Sequence, residues 1–254
     1  MATIISVHSF RGGTGKSNTT ANLAAQLALA GRRVGVIDTD IQSPGIHVLF
    51  GVMGDEIEVS LNDFLWHGRD IRDVARDVTD RSAIAPPGSI HLIPSSMKPG
   101  EIARVLREGY DAERLTNGIR RLVDDLSLDV LFIDTHPGLN EETLLSLVIS
   151  DALVIIMRPD KQDYEGTGVT ARIARELQVP NVSILVNKAP PDLDPEVIAQ
   201  RVRAAYGCDV AAVIPHSDEL MALASDGIFC LRWPDHPLSA SYRVVASSLL
   251  PDRA

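Results

Sequence analysis

The sequence predicts an α/β fold in which a doubly wound, mostly parallel sheet carries helices on both faces. Three observations predict it. Short β-branched runs alternate with longer segments of helical spacing, and the order βαβ implies right-handed crossovers. The runs are almost continuously apolar, as strands covered on both faces must be. A glycine-rich loop follows the first run and opens the first helical segment.

The candidate strands are residues 3–8, 34–38, 90–93, 130–134, 153–157, 182–187 and 211–214. Segments 17–30, 100–126, 141–150 and 195–206 have helical spacing, and 239–250 reads as a packed C-terminal helix. No repeat or low-complexity linker interrupts the chain, so residues 1–254 read as a single domain. The irregular part is 51–99, with a dense charge run inside it. There Arg69, Arg72, Arg76 and Arg81 interleave with Asp70, Asp73, Asp77 and Asp80, which predicts a solvated helix face laced with i,i+3 and i,i+4 pairs.

With 254 residues and 45% hydrophobic content the chain can bury a sizeable core. The formal charge of -10 argues against strong nucleic-acid binding, although a local arginine patch is still compatible with it. Arg172 with Arg175, Arg201 with Arg203, and Arg232 with Arg243 are the candidates for such a patch. The two cysteines, Cys208 and Cys230, lack CxxC spacing, which speaks against a disulfide framework or a zinc site. Neither a signal peptide nor a span of roughly 18 apolar residues is legible, so the expectation is a cytoplasmic protein. The tail from Val244 to Ala254 carries Arg253 as its only basic residue, so membrane binding is not expected.

The chemistry concentrates at the C-terminal ends of the strands. Gly12-Gly13-Thr14-Gly15-Lys16-Ser17, followed by Asn18, sits between a strand and a helix, the context a phosphate loop needs. Its backbone N–H groups would cradle phosphates with the helix N-terminus behind them. Lys16 would reach the outer phosphates, and the Ser17 hydroxyl would ligate Mg²⁺. Asp38 and Asp40 end the second strand, and Asp134 ends the fourth, where ligands bind in open α/β sheets. One such carboxylate can hold Mg²⁺ and another can position the attacking water.

These motifs resemble the ParA/MinD ATPases, P-loop NTPases with a deviant Walker A loop. Arg11-Gly12-Gly13-Thr14-Gly15-Lys16-Ser17 matches K-G-G-x-G-K-[S/T]. Asp38-Thr39-Asp40 matches D-x-D, Asp134-Thr135-His136-Pro137-Gly138 the Walker B region, and Leu185-Val186-Asn187 with Val213-Ile214-Pro215 the adenine-side strands. The resemblance implies ATP and Mg²⁺ as cofactors, with Ser17, Asp38 and Asp134 on the metal. It also implies Asp40 orienting water, the Gly138 amide sensing the γ-phosphate, and Asn187 with the Pro215 backbone at adenine. It further implies an ATP-dependent homodimer and an unidentified protein partner or activator, and it is compatible with nonspecific DNA binding at the nucleoid. Arg11 stands where the family's signature lysine crosses to the partner's phosphates, and a planar guanidinium suits that role. His136 stands where proline is common and is expected to be structural. An ATP-dependent, ligase-like metabolic enzyme on the same core is the alternative, and a scaffold without turnover is disfavoured by the intact Lys16, Asp40 and Asp134.

Overall fold

The computed structural model describes residues 2–250, apart from the side chain of Leu106. Residues 251–254, including Arg253, lie outside the described residues. The strands are β1 (Thr3–His8), β2 (Arg33–Asp38), β3 (Arg76–Asp77), β4 (Ser89–Ile93), β5 (Val130–Asp134), β6 (Ala152–Met157), β7 (Asn181–Ala189) and β8 (Asp209–Pro215). They form one sheet of order β3-β4-β2-β5-β1-β6-β7-β8, parallel except for the short antiparallel pairing of β3 with β4. The helices are α1 (Lys16–Leu29), α2 (Ile46–Leu49), α3 (Leu61–His67), α4 (Ile71–Val74), α5 (Pro99–Glu108), α6 (Ala112–Asp125) and α7 (Glu141–Val148). They continue as α8 (Lys161–Glu176), α9 (Pro195–Tyr206), α10 (Asp218–Leu223), α11 (Phe229–Arg232) and α12 (Pro237–Ser248).

Alternation along each strand sends side chains into two apolar layers. In β6, Val154 and Ile156 face the layer built with α1, α11 and α12. Leu153, Ile155 and Met157 face the opposite layer, built there with α8 and α9. On that same side α3, α4 and α6 cover Ile37, Leu131 and Ile133. The predicted parallel, two-faced sheet is therefore what the chain forms, and it brings the ends of β1, β2 and β5 side by side. Asp38 and Asp134 are register partners on adjacent strands.

Two expectations are corrected. Segment 100–126 is not one helix: it breaks at Gly109, which has φ 62, and α6 restarts from Asp111, whose side chain caps the Arg114 amide. A glycine with positive φ ends a helix at little steric cost, and an Asp N-cap begins the next. The charge run 69–81 is not one helix face either: the one-turn α4 ends at Val74, and the backbone is extended from Ala75. Its apolar residues Ile71, Val74 and Val78 are buried, and Arg76–Asp77 pairs with β4 as an edge strand. Its charges therefore partner distant residues: Arg81 binds Glu56 and the Gly51 carbonyl, Arg76 donates to the Glu56 carbonyl at 2.8 Å, and Arg121 reaches Asp70.

The candidate patch arginines also divide. Arg172, Arg175, Arg201 and Arg203 lie on α8 and α9, whereas Arg232 and Arg243 belong to α11 and α12 on the other face. Arg203 pairs with Glu196, and Arg175 binds the Tyr206 carbonyl. Among the described residues no helix is long and apolar enough to cross a membrane.

Candidate functional site

The loop between β1 and α1 turns through two glycines in the left-handed region, Gly13 at φ 76 and Gly15 at φ 93. Gly15 has a second reason to lack a side chain. A Cβ there would lie 2.4 Å from Asn187 Nδ2. At Gly12 and Gly13 a Cβ would meet nothing within 4 Å, so the loop borders open space. Beside that space the Thr14 hydroxyl is buried without a hydrogen-bond partner. Such a cradle fits an anion with several acceptor oxygens, as a polyphosphate has.

Lys16 and Ser17 both turn to one carboxylate. Lys16 Nζ lies 2.9 Å from Asp134 Oδ1, and the Ser17 hydroxyl donates to Asp134 Oδ2 at 2.6 Å. Thr20, one helical turn beyond Lys16, donates to Asp134 Oδ1 at 3.1 Å. Asp38 is fully buried on the neighbouring strand and accepts the amides of Asp40 (3.0 Å) and Gly45 (3.3 Å). Burial first, and then the charge of Asp134, push the Asp38 carboxyl well above the usual carboxylate range, with Lys16 opposing. Two buried carboxylates sharing one lysine are short of positive charge. Together with the Ser17 hydroxyl they offer the hard oxygen donors that Mg²⁺ prefers. Among the described residues no cluster of three or more His, Cys, Asp or Glu side chains forms a metal centre, so water or phosphate oxygens would complete the shell.

The other predicted residues are engaged by the chain itself. Asp40 accepts from His136 Nδ1 at 2.6 Å and from the Ser43 amide at 3.2 Å. The Gly138 amide donates to the Ser9 carbonyl at 3.0 Å. Asn187 donates to the Thr14 carbonyl at 2.8 Å and accepts the Lys188 amide, so its side chain holds the loop rather than standing free for a base. Pro215 ends β8 beside Ala189, and Asn18 offers its carbonyl to the Asn22 side chain. Arg11 is held in its own chain. Its Nη1 lies 3.3 Å from Asp163 and 3.5 Å from Asp160, and Arg158 binds both carboxylates from the other side.

Sequence reasoning missed several members of this site. Thr20 was detectable, because it shares a helix face with Lys16. Lys188, with φ 55 and its ammonium 2.9 Å from the Gly13 carbonyl, gave no local signal. His8 was equally silent: its Nδ1 lies 2.8 Å from Thr135 Oγ1, and that hydroxyl donates onward to the Val7 carbonyl. The hydroxyl therefore accepts from Nδ1–H, which leaves the buried Nε2 unpartnered. Burial, reinforced by the Lys16 charge, lowers the His8 pKa to about 3.

An uncharacterised ATP-binding protein of Methanocaldococcus jannaschii is 25% identical over 251 residues, covering 98% of this chain and 88% of that protein. An iron-sulfur cluster carrier protein of Pyrococcus horikoshii is 26% identical, covering 97% of this chain and 85% of its own. The solved structure of the septum site-determining protein MinD with Mg-ADP, also from Pyrococcus horikoshii, superposes with a TM-score of 0.79. It shares 18% identity over 98% of this chain and 96% of that one, a likeness of fold. The family profile of an AAA domain matches residues 2–184. On that match the chain belongs to the AAA-domain family, and its fold is that of the MinD and ParA-family structures.

Proposed function

We propose that the chain is a single-domain, Mg²⁺-dependent ATPase that dimerises on binding ATP and acts as a switch on a partner protein. The observation that carries this reading is the convergence of Lys16, Ser17 and Thr20 on Asp134, with Asp38 buried alongside, at the mouth of a glycine cradle. In this reading Lys16 exchanges Asp134 for the outer phosphates, and Ser17, Asp38 and Asp134 hold the metal, mostly through water. Mg²⁺, when bound, neutralises phosphate charge that the loop alone does not match. Asp40 orients the attacking water, and the Gly138 amide leaves Ser9 for the γ-phosphate. Asn187 and the Pro215 backbone lie on the adenine side.

Arg11 acts in trans in this reading. Its guanidinium leaves Asp160 and Asp163 and takes a bidentate place on the partner's phosphates. The cluster-carrier role of the Pyrococcus relative is not carried over. Both cysteines here are buried, and burial pushes the Cys230 thiol up to about 12.

Mass in solution, with and without ATP and Mg²⁺, tests the reading on the wild type, Arg11→Ala and Asp40→Ala. The expected result is an ATP-dependent dimer that Arg11→Ala loses and Asp40→Ala retains without turnover. Dimers indifferent to Arg11 would refute the in-trans role. Turnover only with an added small-molecule co-substrate, and no dimer, would establish the ligase-like alternative. Salt-dependent DNA retention by ATP-bound Asp40→Ala protein tests nucleoid binding.

A further inference from the structure

Asp40 and His136 stand on different loops. Asp40 follows β2 and His136 follows β5, 96 residues later, yet His136 Nδ1 lies 2.6 Å from Asp40 Oδ1. A carboxylate oxygen only accepts, so Nδ1–H is the donor. The same oxygen also accepts the Ser43 amide at 3.2 Å. Oδ1 is thus engaged twice, while Oδ2 has no donor among the described residues. The Asp40 amide is meanwhile fixed to Asp38 Oδ1 at 3.0 Å. Backbone, ring and carboxylate plane are all constrained, and one oxygen is left to face solvent.

The imidazole itself stands on a supported backbone. The His136 carbonyl accepts from the Thr143 hydroxyl of α7 at 3.3 Å. One residue back, the Thr135 hydroxyl is tied to the Val7 carbonyl at 3.1 Å. Asn140 caps α7 by accepting the Thr143 amide at 2.8 Å. Both side chains are partly buried, with 23% of His136 and 13% of Asp40 exposed. That burial makes the bond stronger than a surface contact would be.

We infer that His136 is a positioning residue: its Nδ1–H fixes the Asp40 carboxylate so that Oδ2 is aimed at the water to be activated, and it fastens the two loops that flank the phosphate cradle. This inference rests on the reading of Asp40 as the water-orienting carboxylate. An aimed carboxylate contributes to the transition state more than to nucleotide binding, so its loss falls on kcat rather than KM. The ring also explains the side chain at this position. A residue without a donor at the place of Nδ1 leaves Asp40 Oδ1 to the longer Ser43 amide contact at 3.2 Å.

The test uses amide geometry. In His136→Asn the side-chain NH₂ falls near the place of Nδ1; in His136→Gln it falls near Nε2. Steady-state ATP turnover and binding of a fluorescent ATP analogue are measured for wild type, His136→Ala, His136→Asn, His136→Gln, Asp40→Ala and the Asp40→Ala/His136→Ala double variant. The expected result for His136→Ala is a kcat lower by about 10- to 100-fold. Its KM and analogue affinity should stay within about twofold. Asparagine should recover most of kcat, glutamine should not, and the double variant should be no slower than Asp40→Ala alone. Unchanged kcat in His136→Ala overturns the inference. So does equal rescue by Asn and Gln, or a loss in the double variant equal to the product of the single losses. The two readings fail separately. Wild-type turnover in Asp40→Ala refutes the role of Asp40 itself, whereas a dead Asp40→Ala beside a fully active His136→Ala refutes the positioning role alone.

Discussion

Removing Lys16 from the nucleotide-free chain tests the electrostatic account of the site through stability. Its side chain is 7% exposed, that of Asp134 is 1% exposed, and Nζ lies 2.9 Å from the carboxylate. Removing one partner of a buried pair costs about 3–5 kcal/mol, because the other charge stays buried without its counter-ion. Here Asp134 retains two hydroxyl donors, Ser17 at 2.6 Å and Thr20 at 3.1 Å. Asp38, already pushed above the usual carboxylate range, can hold a proton next to it. Both features favour the lower end, so Lys16→Ala should destabilise the chain by about 3 kcal/mol. For a chain of this size that corresponds to a Tm lower by about 6–12 °C. Thermal melts and urea titrations of nucleotide-free protein read it directly. Adding Asp134→Asn should restore part of the loss, giving a coupling of about 2 kcal/mol in the double-mutant cycle. A Lys16→Ala protein that melts within about 2 °C of wild type would refute the reasoning, as would strictly additive single losses. In the same variant ATP binding should disappear.

Two further predictions concern elements that support the loop. A Cβ at Gly166 of α8 would lie 2.1 Å from Phe10 Cδ1. Gly166→Ala should therefore cost about 1–3 kcal/mol and weaken nucleotide affinity by displacing the residue before Arg11, to be read by melts and by titration with nucleotide. A variant with unchanged stability would show that Phe10 yields freely. His8 supplies a pH signature. Unfolded, it takes a proton below 6.5, whereas folded it refuses one until about 3. Its contribution is thus fully present above 6.5 and is lost on acidification through that window, by at most about 1.4 kcal/mol per pH unit. His8→Asn, which keeps a donor for Thr135, should flatten the fall in urea midpoint between about pH 6.5 and 5. Parallel slopes for the two proteins would refute this.

The parallel sheet was legible because its strands are apolar on both faces, and the phosphate loop because all its parts are local. Lys16 and Ser17 of α1 reach Asp134 at its strand end, and Asp38 ends the adjacent strand. The rest depends on pairings with no local trace. Arg11 meets Asp163 across 152 positions, and Asn187 meets Thr14 across 173. Nothing near either residue announces its partner. The charge run at 69–81 misled for a related reason. Its Asp and Arg spacing suits a helix, but burying Ile71, Val74 and Val78 and pairing β3 with β4 decide the backbone first. Gly109 shows the opposite case, a single residue of small weight in any periodicity that divides a helix in two.

Asp160 has two commitments. As the N-cap of α8 it accepts the amides of Gln162 and Asp163, and as an ion-pair partner it faces Arg11. The loop and the first turn of α8 are thereby mechanically geared. Drawing the guanidinium away leaves Asp160 to the helix N-terminus and Arg158 alone, and it redistributes charge at the foot of a 16-residue rod whose far end carries Arg172 and Arg175. The amides of Gln162 and Asp163, both held by Asp160, are therefore a natural gauge of whether Arg11 stays on that carboxylate or leaves it.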